Sequence, residues 1–500
     1  MYQKGNTEQL SIEGFRMAFG GHLSAQNRWV KLAELMPWEH IEEIYAQSLS
    51  QETGRYAIPA RIAFGAIFIK ESEKLTDEGT VSAIQENPYI QYFLGLEEFQ
   101  TEALFDPSMM VHFRKRFPVE QVAKINEFIC TGVWPEEMRN VDGNDHDEDA
   151  QTPAGGKSGK GKKNRNTSKK KQKKQRKAQK NRGKLILDAT VSPADIKYPT
   201  DIDLLNQSRQ HLETAIDLLW DNSHRTGHKL PYSRKRARKS YLSLAKSKKW
   251  TASKVRKSIG EQLVWIAKAR ARLNQLLLQV PAALVQFPSW LWHRLSVIPL
   301  VFEQQKYMFD TKTHVCENRI VSLQQPHVRP INRGKRPVAT EFGQKLHLSV
   351  VDGYTFLEKT SWNNFNEGCD LQAAAEEYHR RFGVYPEAVL ADRIYQTRAN
   401  RSYCAELGIR LSGPALGRKR TGTEKKEQRQ MLRDSGERNA IEGRSGNLKR
   451  KFGLELIFCK LDECAKTQAA LNILAMNTAY RLCRWLMQFC YFFRIKFVFQ

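Results

Sequence analysis

The chain has 500 residues, with 80 Lys and Arg against 54 Asp and Glu, so its formal net charge is +26. Hydrophobic residues make up 41% of the sequence, which is enough for buried cores and excludes a wholly disordered chain. The N-terminus has no apolar run after a basic start, basic residues interrupt the apolar C-terminal stretch, and the eight cysteines are scattered. We therefore expect no secretory signal, no membrane span, a reducing cytoplasmic compartment and a polyanionic partner.

The N-terminal part shows mainly helical patterning. Apolar residues recur at helical spacing over 25–49 and 59–74, and Asp106-Pro107 predicts a further helix start. Residues 157–184 then contain 15 Lys/Arg and no acid, directly after an acidic patch at 142–149. Because such charge runs repel themselves, they predict a linker and a domain boundary at about 140–183.

After this linker, residues 185–191 predict a buried strand, and 203–290 predict long amphipathic helices that end near Pro281 and Pro288. A second basic block over 234–257 has 11 Lys/Arg, no acid and several apolar residues. We interpret it as a basic helix pair that binds DNA, although a merely solvated surface is the alternative. The candidate DNA-binding residues are Arg234, Lys235, Arg236, Arg238 and Lys239.

The last third of the chain mixes strands and helices. Strands are predicted at 345–351 and 355–358, joined by the turn pair Asp352-Gly353, then at 388–391 and 409–411. Helices are predicted over 370–382, 434–451 and 465–490. This order indicates an α/β core built around one mixed sheet, preceded by an all-helical region.

Acidic residues in this core are candidates for catalysis. Asp188 lies inside an apolar strand, and Asp392 directly follows another strand, at the edge where α/β sheets bind ligands. Glu442 shares a helical face with Arg438 and Lys449. Considered alone, Asp392 is explained equally well as a cap of the next turn. Arg438 and Glu442 alone are explained as an ordinary ion pair on a helix surface. Together the three carboxylates favour a site for two Mg²⁺ ions about 3.5–4 Å apart, suited to in-line displacement at phosphorus.

The motifs around these acids resemble those of bacterial insertion-sequence transposases of the DDE class, which have an RNase H-like core. Leu187-Asp188-Ala189-Thr190 and Leu390-Ala391-Asp392-Arg393 are similar to the family's first two catalytic motifs. The segment 438–442, with Lys449 and Phe452-Gly453, resembles the signature around its glutamate. The segment 87–96 (NPYIQYFLGL), with 105–108 and 113–116, resembles the helical domain that precedes the core in one large group of these enzymes.

The resemblance implies a metal-binding catalytic triad of Asp188, Asp392 and Glu442, with Arg438 and Lys449 as DNA contacts. It implies Mg²⁺ as the cofactor, replaceable by Mn²⁺, and double-stranded DNA at the element ends and target as the partner. The protein would hydrolyse the phosphodiester and join the 3′-OH ends to target DNA, as a homodimer or higher oligomer in the bacterial cytoplasm near the nucleoid. A catalytically decayed DNA-binding protein, or a nuclease that cuts without joining, remains the alternative.

The spacing of the motifs predicts a core interrupted by a helical insertion, because 204 residues separate Asp188 from Asp392. We expect a helical domain over 1–140 for DNA-end binding or dimerisation, the linker over 141–183, core over 184–203, a basic insertion over 204–330 and the rest of the core over 331–500. Ser435 stands where related families have a Tyr, and Gly443 and Gly446 could kink the last catalytic helix. Glu437 is a competing candidate for the third acid.

Overall fold

The computed structural model describes residues 2–136, apart from positions 3, 6, 18–19, 51 and 53–55, and then residues 180–222, 228–279, 286–332, 340–414 and 424–492. Most of the predicted linker, up to residue 179, lies outside the described residues. Among the described residues, no helix combines the length and the apolar character that crossing a bilayer requires.

The N-terminal region is helical, as predicted. Its helices are α1 (Arg28–Leu35), α2 (Trp38–Gln47), α3 (Ala60–Glu73), α4 (Asp77–Glu86), α5 (Pro88–Phe93), α6 (Met109–Arg116) and α7 (Val119–Thr131). The helical spacing over 25–49 corresponds to two helices, which are separated at Pro37 because it has no N–H to donate and stands outside the helical region. The helix expected to start at Asp106 begins at Met109, since the Asp106 carboxylate accepts the Ser108 N–H in a turn before it.

The described residues form one six-stranded mixed sheet, which confirms the predicted fold class. Its strands are β1 (Lys184–Pro193), β2 (Arg329–Asn332), β3 (Thr340–Val351), β4 (Tyr354–Ser361), β5 (Ala388–Leu390) and β6 (Arg410–Leu411). The order is β2–β3–β1–β5–β6, with β4 also on β3; β1 runs antiparallel to β3 and parallel to β5. Asp352 and Gly353 have φ of 49° and 84°, so the predicted hairpin turn is confirmed.

Helices cover both faces of this sheet. One face packs on α12 (Leu371–Phe382), near which α13 (Arg398–Leu407) also lies. The other packs on α14 (Glu424–Phe452) and α15 (Asp462–Phe492), through Ile441 and Leu448 of α14 and Ile473 of α15. Helix α14 runs without interruption through Gly443 and Gly446, so these glycines do not end it.

A helical segment interrupts the core after β1, as predicted. It consists of α8 (Asp201–Asn222), α9 (Arg234–Ala245), α10 (Ala252–Gln279) and α11 (Ser289–Thr311), which share their own apolar core. The helices predicted from the sequence end near Pro288, so neither α11 nor the short edge strand β2 was among the predicted elements. Pro288 instead precedes the first turn of α11, a position where its missing N–H costs nothing.

The N-terminal helices share a core with the last helix of the chain. Ala470, Leu471, Leu474 and Ala475 of α15 pack among the aromatic side chains of the N-terminal region. Where they meet, Glu71 on α3 is 4% exposed, and its Oε2 accepts a hydrogen bond from Gln468 on α15 at 3.4 Å. Burial raises the pKa of Glu71 to about 7, against the opposing charges of Lys70 and Arg114. The division into domains stays a prediction.

We predict that Glu71→Gln stabilises the protein at alkaline pH. Because the folded pKa of about 7 lies above the ordinary value of 4.5, the carboxyl group contributes its full stability below that ordinary value and loses it as pH rises through the folded pKa. The variant should be more stable than wild type by about 3 kcal/mol at pH 8 and by less than about 1 kcal/mol at pH 5. Urea unfolding at both pH values measures the difference.

The matched control is Glu86→Gln, which changes an exposed carboxylate at the end of α4. It should unfold like wild type at both pH values. A Glu71→Gln variant that is equally destabilised at pH 5 and pH 8 would show that the buried group is ionised in the folded protein.

Candidate active site

Parallel pairing of β1 and β5 brings Asp188 and Asp392 to the same edge of the sheet. The register pairs Ile186 with Leu390, and Asp188 and Asp392 lie two residues further along their respective chains. Ile186 and Leu390 belong to the core beneath α14 and α15. Because side chains alternate between the faces of a sheet, Asp188 projects toward the same face as Ile186. Asp392 lies just after β5, close enough for its charge to act on Asp188.

The surroundings of Asp188 disfavour the ionised form of its own carboxyl group. Burial raises the pKa of Asp188, and the nearby carboxylates of Glu367 and Asp392 raise it further. A hydrogen bond of 2.8 Å from the Ala189 N–H and the charge of Arg438 act in the opposite direction. The carboxylate is therefore held where a cation would relieve its repulsion from the neighbouring acids.

Arg438 connects the second predicted acid to the third. Its guanidinium lies 3.6 Å from Asp392 Oδ1 and 3.8 Å from Glu442 Oε1, one turn along α14. The Asp392 and Glu442 side chains are 62% and 61% exposed, whereas Arg438 is 27% exposed. Asp392 also accepts the Arg393 N–H at 2.7 Å, so it caps a short 3-10 helix as well as facing the site.

These residues fit a divalent cation in chemistry, although not as one closed set of three ligands. Carboxylate oxygens are the donors that Mg²⁺ and Mn²⁺ take, and Asp188 carries the mutual repulsion that an ion would relieve. No group of three His, Cys, Asp or Glu side chains in the described part of the chain is close enough to hold one ion. Glu442 stands off because the Arg438 guanidinium lies between it and Asp392.

The competing acid Glu437 points elsewhere. Both of its carboxylate oxygens accept hydrogen bonds from Lys184 Nζ, at 2.8 and 2.7 Å, at the start of β1. The structure thus brings Glu442, and not Glu437, into contact with Arg438 beside Asp392. Lys449 lies in the last turn of α14, and its contact with DNA stays a prediction.

Sequence reasoning missed Glu367, which follows β4 in a short 3-10 helix. Its charge raises the pKa of Asp188, and its own carboxylate is paired with Lys345 Nζ at 3.1 Å. Gly368 beside it packs directly against the Ile394 carbonyl, where a Cβ would lie 2.3 Å from the oxygen. No motif marks Glu367, because its place near Asp188 depends on this contact between distant loops.

Sequence reasoning also missed a buried pair behind these acids. The rings of Tyr395 and His347 stack with centroids 5.8 Å apart, and both side chains are fully buried. The Tyr395 hydroxyl and both His347 ring nitrogens have no hydrogen-bond partner among the described residues. Burial lowers the pKa of His347 against the raising effect of the Glu358, Asp370 and Glu367 carboxylates.

The predicted DNA-binding residues of α9 divide into two kinds. Arg234 already makes a two-pronged ion pair with Asp217, at 2.9 and 3.0 Å, and a further pair with Glu213. The other four are exposed and form no ion pair with any described residue: Lys235, Arg236, Arg238 and Lys239. Arg234 therefore contributes no unpaired positive charge to α9, and the four other residues remain as the candidate phosphate contacts.

Two known family models match separate parts of the chain. Residues 18–116 match the transposase domain DUF772, and residues 389–478 match the transposase DDE domain. The second match contains Asp392 and Glu442, while Asp188 lies outside it. The chain thus matches a transposase family model in each of two regions, and the resemblance drawn from its motifs is confirmed.

At the level of single proteins, the chain is similar to uncharacterized protein ORF8 in the nfe locus of Rhizobium meliloti. The two are 35% identical over 133 residues, which is 25% of this chain and 64% of that relative. The chain therefore spans somewhat less than two thirds of that relative's length. No solved structure matches the chain.

We predict that replacing Lys235, Arg236, Arg238 and Lys239 together by Gln weakens DNA binding. For each phosphate that is no longer neutralised, the slope of log affinity against log salt should fall by about 0.9, because fewer counterions are released. Titration of labelled duplex DNA at several salt concentrations measures both the affinity and the slope.

Arg234→Gln is the internal control for this variant. Because Arg234 is neutralised by Asp217 and Glu213, its loss should leave the salt slope unchanged and cost at most about 1 kcal/mol of stability. An unchanged affinity and slope in the fourfold variant would remove α9 from the DNA-binding surface.

Proposed function

We propose that this protein is an active DDE transposase that binds the two ends of its insertion sequence, cuts the DNA there and joins the freed 3′-OH ends to a target. One observation carries the proposal: Asp188 and Asp392 lie at one sheet edge, with Glu442 separated from Asp392 only by the Arg438 side chain. The match of 389–478 to the transposase DDE domain supports the same chemistry.

Asp188, Asp392 and Glu442 would hold the divalent ions, two Mg²⁺ with Mn²⁺ as a substitute. The ions would supply charge neutralisation at phosphorus and activation of the attacking hydroxyl group. For Glu442 to join the two aspartates, Arg438 must leave its place between them. The released guanidinium is then available to a DNA phosphate, in agreement with the DNA contact predicted for this residue.

The reaction consists of two displacements at phosphorus in the same site. In the first, water attacks the phosphodiester at the element end, the bond from phosphorus to the 3′-oxygen breaks, and a 3′-OH remains. In the second, this 3′-OH attacks a target phosphodiester and displaces a target 3′-oxygen. Side chains hold both strands in line, so no covalent link between protein and DNA is needed.

The remaining parts of the chain are assigned to DNA binding and assembly. The exposed residues of α9 would hold DNA near the core, and the N-terminal helical domain would bind element ends or a second protomer. A homodimer or larger assembly on DNA brings two ends together, and the bacterial cytoplasm, at the nucleoid, is where this partner lies.

We predict that Glu442→Gln abolishes cutting and joining, by about a hundredfold or more, while leaving DNA binding intact, because a charge that holds the cation is lost. The substrate is linear DNA carrying the inverted ends that flank the gene, incubated with Mg²⁺ or Mn²⁺. Cut ends and joined products are separated on a gel.

Glu437→Gln is the matched control on the same helix. It removes the ion pair with Lys184 and should retain activity within about threefold, since an exposed pair contributes little. Loss of activity in Glu437→Gln but not in Glu442→Gln would reverse the assignment of the third acid. Wild-type cuts without joined products would indicate a nuclease, and binding without cuts would indicate a DNA-binding protein.

A further inference from the structure

A polar cleft of about 380 Å³ lies between α9 and α10 in the insertion. None of the residues that line it belongs to the sheet or to α14. Its wall contains serines from both helices and from the segment that joins them, with two lysines from the first turns of α10: Ser240, Ser243, Ser247, Ser258, Lys254 and Lys257. The cleft is thus separate from the carboxylate site. The hydroxyl groups of Ser243 and Ser247 already donate to backbone carbonyls.

Ser258 has a buried hydroxyl group that is not satisfied within the protein. The residue is 6% exposed, and its Oγ has no hydrogen-bond partner among the described residues. Serines inside helices often donate to the carbonyl four residues earlier, as Ser208 in α8 donates to the Leu204 carbonyl at 2.8 Å. Ser258 makes no such bond, so its donor is free for a group that enters the cleft.

The charge of the cleft and its rim favours an anion. Lys254 and Lys257 are exposed and form no ion pair with any described residue. The one acid in the lining, Glu261, accepts the Ser240 hydroxyl with one oxygen, and its single negative charge is outnumbered by the two lysines. Residues 246–257, which connect α9 to the first turns of α10, contain six Lys/Arg and no Asp or Glu.

We propose that this cleft binds a phosphodiester group of a DNA strand, with the Ser258 hydroxyl donating to one oxygen while Lys254 and Lys257 neutralise the charge. A strand fits better than a small nucleotide, because the basic segment continues beyond the cleft and Leu244 is the one apolar residue in its lining. The inference rests on the proposed function and adds a second phosphate contact, distinct from the exposed residues of α9.

The test compares the full-length variants Ser258→Ala and Lys257→Gln by titration of a labelled duplex at several salt concentrations. Lys257→Gln should weaken binding about five- to tenfold at low salt and reduce the salt slope by about 1. Ser258→Ala should weaken binding about three- to tenfold with an unchanged slope, because it removes a hydrogen bond and no charge.

Lys268→Gln is the matched control. Lys268 is exposed on the same helix, eleven residues beyond Lys257 and outside the cleft. Eleven residues are about three turns, so it lies on the same face about 16 Å away. An effect of Lys268→Gln equal to that of Lys257→Gln would show general electrostatic attraction and overturn the assignment of a defined phosphate site.

Thermal unfolding with inorganic pyrophosphate tests the cleft without DNA or catalysis. Pyrophosphate should stabilise wild type and stabilise Ser258→Ala less, while Ser258→Ala without the anion should be at least as stable as wild type. If Ser258→Ala binds DNA and pyrophosphate like wild type, the cleft is not a phosphate-binding site, even if the enzyme cuts and joins DNA. Loss of the pyrophosphate effect in that variant, in a protein that neither cuts nor joins, supports the cleft while the proposed function fails.

Discussion

The parallel pairing of β1 with β5 is the constraint on which the candidate site depends. These strands come from positions about 200 residues apart, and their register of Ile186 with Leu390 brings Asp188 near Asp392, which follows β5. A shift of the register by one residue would turn one carboxylate toward the opposite face of the sheet. Leu187 and Val389, buried against α12, oppose such a shift because it would expose them.

The rest of the chain is arranged around this pair of strands. The insertion leaves the sheet after β1 and forms its own apolar core, so it can vary without disturbing the register. The N-terminal helices instead share a core with α15, and α15 and α14 together cover the face of the sheet that contains the acids.

Much of the fold could be predicted because its signals are local. The apolar run at 185–191, the Asp352-Gly353 turn and the strand before Asp392 each follow from a short pattern, and the structure has all three. Edge strand β2 was not predicted because four residues carry too little pattern. Helix α11 was not predicted because Pro288 was interpreted as the end of one helix, whereas it precedes the first turn of the next.

The residues of the candidate site likewise include some that the sequence could indicate and others that only the folded structure reveals. The three predicted acids stand in recognisable motifs, so their identities could be proposed from sequence, and their assignment as ligands stays a prediction. The place of Arg438 between Asp392 and Glu442, the nearness of Glu367 to Asp188 and the stacked rings of Tyr395 and His347 all depend on contacts across the fold. The neutralisation of Arg234 by α8 likewise required knowledge of which helix packs beside it.

In the proposed mechanism, Asp188 and Asp392 together hold a divalent cation for phosphoryl transfer. Anomalous scattering from Mn²⁺ in crystals of the protein with DNA of its element end would locate this ion directly. We expect a peak between the two carboxylates, with Arg438 moved away from Glu442, and no peak there in Asp392→Asn. A Mn²⁺ peak at another set of residues, or none beside Asp188 in crystals where DNA is bound, would contradict this mechanism.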